Sequence, residues 1–352
     1  MLICLSGLIF ANIRSANAQK GDDRYVLLSD YGYTPDDLLV GTITIHRLGT
    51  VAGASNGSDA DFALRGEHAG KFKIKKGNQL YIRGKYAKSD KKWFDVGVVT
   101  TDGQLSADFR AVKNEFSNNS VVAHRGAWKN TGAPQNSLAS FEEAAKLKCE
   151  GSEFDVHLSA DSVVVLFHDR HKDGLAIEET SFHELAEKRL SNGEVIPDLV
   201  SFLEAGMDQN RTRMVLEIKP SAVSKERGIV LTDKVIRLVR ESKAQGWVDY
   251  ISFGYDICQR VMELDPFAKV AYLNGEKAPA EIADDGLFGL DYNNKVFKKN
   301  PDWIAESKEK GLTLNVWTVN SPEDMDWYLE KEFDFITTDE PELLLEKITK
   351  TQ

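Results

Sequence analysis

Beyond residue 120 the chain alternates between short apolar, β-branched runs and segments long enough for a helix. That alternation limits the fold more than any other feature. The runs cover 121–124, 153–157, 214–218, 250–253, 269–273, 289–292, 312–318 and 333–337. Runs that stay apolar without a polar alternation predict strands buried on both faces of a parallel sheet. Helical spacing fills the gaps. Leu138, Phe141 and Ala145 share one face of 137–147, and further helices are read at 199–206, 231–244 and 323–330. A further run, 163–167, follows the second strand too closely for a helical crossover, so it must turn back antiparallel as a hairpin. Eight strand–helix units over 121–349 predict an α/β fold, a (β/α)8 TIM barrel, whose usual size is about 250 residues. A doubly wound sheet is the alternative topology.

Upstream the rhythm is period two. Stretches 39–46, 62–64, 72–82, 93–100 and 105–109 alternate apolar and polar residues, with turn signals at Gly77-Asn78 and Asp102-Gly103. Six or so short strands over 22–113 predict a small all-β sandwich. The spacing of Asp61, Phe62 and Leu64, then Gly70, Phe72 and Ile74, then Asn78 and Leu80 resembles a cadherin-type sandwich, without recognisable calcium motifs. A structural or docking role is expected of it. Polar residues 114–120 read as the linker, and 121–352 as the barrel.

The start of the chain is apolar through Ala11, and Ala16-Asn17-Ala18 forms a small-x-small site. Residues 1–18 therefore read as a signal peptide, which places the protein in the periplasm or outside the cell. Cys4 leaves with that peptide, and Cys149 and Cys258 are expected to be two buried thiols. No apolar run approaches the roughly 20 residues of a membrane helix. Lys and Arg number 44 against 55 Asp and Glu, a net charge of −11. Bulk charge of that sign does not coat nucleic acid or an anionic membrane. No basic membrane-binding segment is read. Phosphate would have to be met by a few placed cations or a metal.

Barrel enzymes carry their chemistry at the C-terminal ends of strands. Those ends here hold His124-Arg125-Gly126, Glu153-x-Asp155, His168-Asp169, Glu217-x-Lys219, Trp317 and Thr338-Asp339. Glu153 and Asp155 are two apart on a strand and face the same way. With Phe154 and Val156 turned to the helix layer, both carboxylates look into the barrel. Their repulsion, with Glu217 beside them, calls for a divalent cation, and an all-oxygen set favours calcium or magnesium. Arg125 and Lys219 add two fixed cations for a phosphate. His124 and His168 fit a general acid and base. Trp317 and Phe253, and Tyr292 with them, are candidates to pack an apolar part of the substrate.

These motifs, with Pro134-Gln135-Asn136-Ser137, Ile196-Pro197, Ser252-Phe253 and Asp339-x-Pro341, resemble the glycerophosphodiester phosphodiesterase family. The resemblance implies hydrolysis of small glycerophosphodiesters to an alcohol and glycerol 3-phosphate. It implies His124 and His168 as acid/base pair, Glu153, Asp155 and Glu217 as ligands of one divalent cation, and Arg125 and Lys219 as phosphate contacts. It also implies in-line attack by the neighbouring glycerol hydroxyl, and an insertion at about 169–213 acting as a cap. Where the family has Glu, this chain has Gln135, which is expected to hold Arg125 less firmly. Two other readings compete. One is a phosphatidylinositol-type phospholipase C acting on lipid. The other is an inert adhesion or binding protein that works through its sandwich.

Overall fold

The computed structural model of the protein describes residues 23–49 and 61–351. The leader read at 1–18 lies outside the described residues. The period-two region forms eight strands: β1 (Arg24–Leu28), β2 (Gly32–Tyr33), β3 (Leu39–Arg47), β4 (Phe62–Arg65), β5 (Phe72–Lys75), β6 (Gln79–Ile82), β7 (Trp93–Thr100) and β8 (Ser106–Lys113). They make two four-stranded sheets, ordered β1-β3-β6-β5 and β2-β8-β7-β4. The sequence reading passed over β1 and β2. Alternating residues such as Leu28, Val40, Phe72, Leu80, Val96 and Phe109 fill the space between the sheets. The turn joining β5 and β6 uses Gly77 and Asn78, both at positive φ (76° and 58°), a conformation these residues tolerate.

The barrel strands are β9 (Val121–Ala123), β10 (Gly151–Leu158), β14 (Arg213–Ile218), β15 (Val248–Ser252), β16 (Val270–Tyr272), β17 (Gly289–Asn293), β18 (Thr313–Trp317) and β19 (Phe335–Thr338), with the antiparallel strand β11 (Val164–Leu166) added on β10. Two-residue strands β12 (His171–Lys172) and β13 (Leu175–Ala176) form a small separate ladder. β19 pairs in parallel with β9 through Ile336 and Val121, which closes an eight-stranded barrel and excludes an open doubly wound sheet. Phe154 of β10 points outward and stacks on Phe202 (4.4 Å between centroids), which in turn meets Phe141 (5.3 Å). Each such ring gives about 1.5–3 kcal/mol on burial, so this outward cluster pins two ring helices to β10. It also fixes which way Glu153 and Asp155 face.

β10 is long, and it divides one edge between two partners. Gly151 and Ser152 pair with β9, whereas Val156–Leu158 pair antiparallel with β11. The expected hairpin therefore stands on the C-terminal rim and delivers His168 there. Residues 169–198, the first part of the expected insertion at about 169–213, carry two short strands, a 3-10 turn and helix Phe182–Glu187. Helix Leu199–Gly206 belongs to the barrel's outer ring, because Leu199, Phe202 and Leu203 join the barrel core. The helix expected at 231–244 runs Lys225–Glu241. Its first turn is polar, and Ser224 caps it by accepting from the Arg227 N–H (3.2 Å).

The sandwich covers the opposite, N-terminal face of the barrel. The ring of Trp93 meets that of Trp247 edge to face at 5.9 Å. His46 Nε2 lies 2.8 Å from the Glu263 carbonyl, and Lys243 Nζ donates to Asp95 (2.9 Å). Residues 114–120 do not hang free: the Ser117 N–H donates to the Arg211 carbonyl (2.9 Å), and the Arg213 guanidinium lies over Phe116 (4.0 Å). Cys149 and Cys258 are free and buried, and burial pushes the Cys149 thiol up to about 12. No helix among the described residues is long and apolar enough to cross a membrane.

Candidate active site

The His124-Arg125-Gly126 turn leaves β9 with two successive left-handed residues, Arg125 (φ 58°) and Gly126 (φ 82°). Only glycine fits at 126, because a Cβ there would lie 2.3 Å from Ser140 Oγ. That close approach draws helix Leu138–Leu147 against the turn. The helix is capped by Ser137, which accepts from the Ser140 N–H (3.0 Å). Asn136, just before the cap, is buried and also left-handed (φ 54°). Its amide donates to Asp155 Oδ2 (2.9 Å), and its oxygen accepts from the Asp155 N–H (2.8 Å). The same turn aims the Arg125 N–H at Glu153 Oε2 (2.8 Å). Holding a residue such as arginine in this region costs about 1–2 kcal/mol, and these bonds offset it.

Glu153, Asp155 and Glu217 face one another inside the barrel, with one oxygen from each within 4.8 Å of the others. Parallel register sets Asp155 beside Glu217. All three are buried. Lys219 bridges two of them, at 3.0 Å from Asp155 and 2.9 Å from Glu217. Arg125 Nε lies 4.0 Å from Asp155 Oδ2. Burial, and then the charges of Asp155 and Glu217, hold the Glu153 carboxyl well above the usual range. Burial and the charge of Asp155 push Glu217 up to about 8 against the pull of Lys219. Asp155 goes the other way: burial pushes it up, but Lys219, His168 and Asn136 outweigh that and hold it low. Glu153 Oε1 is buried with no hydrogen-bond partner. Three carboxyls face one ammonium and one guanidinium, so the fully ionised cluster would hold more negative charge than its protein neighbours neutralise.

Both histidines stand over this cluster. A carboxylate only accepts, so His124 Nδ1 carries the proton it gives to Asp339 Oδ1 (2.7 Å), and Nε2 faces the cluster, 4.0 Å from Glu153 Oε2. Asn320 donates to the other oxygen of Asp339 (2.7 Å) and fixes it. Burial pushes Asp339 up, but its bond to His124 outweighs that and holds it low. His168 Nδ1 likewise donates to Asp169 (2.7 Å), and its carbonyl lies 3.2 Å from His157 Nε2. Burial, with the positive charge of Lys219, keeps His168 below its ordinary value, so its second nitrogen is free to accept at neutral pH. Arg125 Nη1 donates to Gln135 Oε1 (2.7 Å), so the amide still orients the guanidinium, though without a charge.

His124, Arg125, Glu153, His168, Glu217 and Lys219 line one cavity of about 120 Å³, with Phe253 and Trp317 at its wall. Those two rings meet edge to face at 5.4 Å, and Trp317 Nε1 donates to the Asp291 carbonyl (2.9 Å). A larger cavity, about 510 Å³, lies between sandwich and barrel and holds none of these residues. Tyr292 does not join the site. It faces the helix layer beside Phe297 and Trp303, and its hydroxyl donates to the Lys277 carbonyl. Strand alternation gives the inward position to Asp291 instead, a buried carboxyl on the cavity wall pushed up to about 7 by burial. Sequence reasoning assigned no role to Asp339, Asn320, Asn136 or Asp291. A strand-end position was the signal for Asp339. For Asn136 the signal was its place before a capping serine.

A family model described as the glycerophosphoryl diester phosphodiesterase family matches residues 124–343. The chain belongs to that family. It is therefore a phosphoric diester hydrolase built on a TIM barrel. A crystal structure of a glycerophosphodiester phosphodiesterase from Parabacteroides distasonis is 40% identical, with TM-score 0.64, over 67% of this chain and all of that one. A glycerophosphodiester phosphodiesterase of Caldanaerobacter subterraneus is 29% identical over 250 residues, 65% of this chain and 98% of the relative. The Thermotoga maritima enzyme structure is 25% identical, with TM-score 0.53, over 66% of this chain and 97% of that one. Each likeness covers about two thirds of this chain.

Proposed function

We propose that this protein hydrolyses soluble glycerophosphodiesters to an alcohol and glycerol 3-phosphate, using a divalent cation and a histidine pair. One observation carries the reading. Glu153, Asp155 and Glu217 converge within 4.8 Å, and Glu153 and Glu217 line the same cavity as His124, His168, Arg125 and Lys219. The donor set suits calcium or magnesium: it is all oxygen, it has unneutralised negative charge, and Glu153 Oε1 lacks a partner. When bound, such an ion supplies positive charge to phosphate oxygens and acidifies a neighbouring hydroxyl.

The chain's own groups do the rest. Arg125 and Lys219 hold the phosphodiester and stabilise the charge that builds on its oxygens. Of the two histidines, one accepts at Nε2 the proton of the attacking glycerol hydroxyl, and the other, entering the step as an imidazolium, gives its Nε2 proton to the leaving alkoxide; water then opens the resulting cyclic phosphate to glycerol 3-phosphate, with the two roles exchanged. Asp339 and Asp169 keep their Nδ1 atoms protonated, so each Nε2 is the working atom. Phe253 and Trp317 give the glycerol carbons an apolar wall and exclude water from that side. The apolar start of the chain and its small-x-small site support export to the periplasm or beyond. Purified protein is expected to release glycerol 3-phosphate from glycerophosphocholine or glycerophosphoethanolamine, and exhaustive chelation should abolish that release. A screen of head groups then identifies the alcohol. Full activity after chelation would remove the cation from the mechanism.

A further inference from the structure

Residues 71–92 carry nine basic side chains and one acidic one, Asp90, in a chain whose net charge is −11. The net charge conceals this run, and the alternation of Lys73 and Lys75 reads in sequence as an ordinary solvated strand face. Shared rings bring part of it together: Lys71 and Lys85 lie by Tyr86, and Lys71 and Lys91 by Phe94. Lys73 and Lys75 project from β5, Lys76 follows in the turn, and Lys85, Lys88 and Lys91 lie on and after helix Gly84–Ala87. All six are exposed. None of the six forms an ion pair with a carboxylate among the described residues. On the barrel, Lys129, Lys146, Lys277, Lys298, Lys308 and Lys350 each pair with an acid, whereas the exposed Lys148, Lys188, Lys225, Lys295, Lys299 and Lys310 pair with none among the described residues, so the sandwich run stands out by its density along the chain. In the sandwich the partners are rings. Lys75 lies 3.8 Å from the centroid of Tyr81, and Lys85 lies 4.7 Å from that of Tyr86. A ring steadies an ammonium without neutralising it.

Edge-strand protection accounts for part of this. β5 is the last strand of its sheet, and lysines on an edge discourage pairing with another chain. It does not account for Lys85, Lys88 and Lys91, which lie on no strand. The surface is also placed for a partner. β1 carries Tyr25, whose hydroxyl reaches the Leu264 carbonyl of the barrel, and β5 is the strand farthest from β1 in that sheet. Lys92 is the member of the run that reaches the barrel, by donating to the Asp208 carbonyl.

We infer that this lysine face adsorbs the protein onto a bilayer rich in anionic phospholipid. The cations are lysines, compact charges suited to a diffuse negative surface, whereas base recognition favours the fork of arginine. Among the described residues of the sandwich no large apolar side chain is exposed, so the contact argued from them is electrostatic. The catalytic cavity opens at the other face of the barrel, so it stays in solution when the sandwich is adsorbed.

Co-sedimentation of the full chain with vesicles tests this. Binding is expected to vesicles of phosphatidylcholine mixed with phosphatidylglycerol and not to phosphatidylcholine alone. It should be lost between about 0.1 M and about 1 M salt, as the screening length falls from about 10 Å to about 3 Å. The triple variant Lys73→Gln, Lys75→Gln, Lys85→Gln should bind about a hundredfold more weakly, at about fivefold per lysine. Its turnover of glycerophosphocholine should not change. A second triple variant, Lys76→Gln, Lys88→Gln, Lys91→Gln, leaves the strands intact and should show the same loss, which separates lost charge from lost folding. Equal binding to neutral vesicles, binding insensitive to salt, or wild-type binding by both variants overturns the inference. So does capture by duplex DNA without capture by anionic vesicles.

Discussion

Asp155 and Asp95 are both carboxylates held by two cationic side chains, and they sit in opposite charge balances. Asp95, on the sandwich, accepts from Arg110 (2.7 and 3.1 Å) on the neighbouring strand and from Lys243 (2.9 Å) at the foot of the barrel. Its negative charge is fully answered, and the group serves to join two bodies. Asp155 shares Lys219 and Arg125 with Glu153 and Glu217, so the same number of cations faces three carboxylates. A balanced cluster needs nothing more. An unbalanced one is held together by packing and by Asn136, and it is ready for a further cation. The arithmetic of local charge separates a structural acid from a catalytic one, where burial alone does not.

The largest expected effect is at the unbalanced end. His168→Ala should lower turnover by roughly 100-fold or more while leaving the thermal midpoint nearly unchanged, measured by glycerol 3-phosphate release and by melting. Retained turnover would strip His168 of its proton-transfer role. Glu153→Gln sharpens the contrast, because burial and its two acidic neighbours oppose any charge on Glu153, and the amide removes that conflict. Its metal-free form should melt a few degrees higher than metal-free wild type, a gain of about 1 kcal/mol, while activity falls. A lower midpoint would mean that Glu153 is balanced after all.

The smallest effect is at the balanced end. Asp95→Asn should cost about 1 kcal/mol, since the group is partly exposed and screened. Its pH dependence has a definite sign. Burial pushes Asp95 up, but the hydrogen bonds of Arg110 and Lys243 outweigh it and hold the folded value below 3.8. The stabilisation is therefore complete above about pH 4 and is lost as pH falls through the lower folded value. The gap between wild type and Asp95→Asn, followed by denaturant melts, should stay constant from neutral pH down to about pH 4 and close below it. A gap that widens in acid would reverse the assignment.

Much of this was legible without coordinates. The apolar runs placed the barrel strands, and strand alternation turned Glu153 and Asp155 inward, because side-chain direction along a strand depends only on parity. The same rule, applied to β17, would have chosen Asp291 over Tyr292. What escaped were relations between distant residues. Asp339 lies 215 positions from His124, and only closure of β19 onto β9 brings them together. Helix Leu199–Gly206 looks the same in sequence whether it caps the site or packs on the ring. Phe202 against Phe154 decides it.

The sequence by itself determined the two kinds of periodicity, the order of the strands and the residue types at their ends, since these follow from local sterics and burial. Tertiary structure alone decided which charges are answered. A net charge of −11 says nothing about where each charge meets its partner. Folding left Glu153, Asp155 and Glu217 with too few cations inside the barrel, and the lysines of 71–91 with too few acids on the sandwich. Coulomb energy depends on distance, and distance between remote residues is fixed only when the chain has folded.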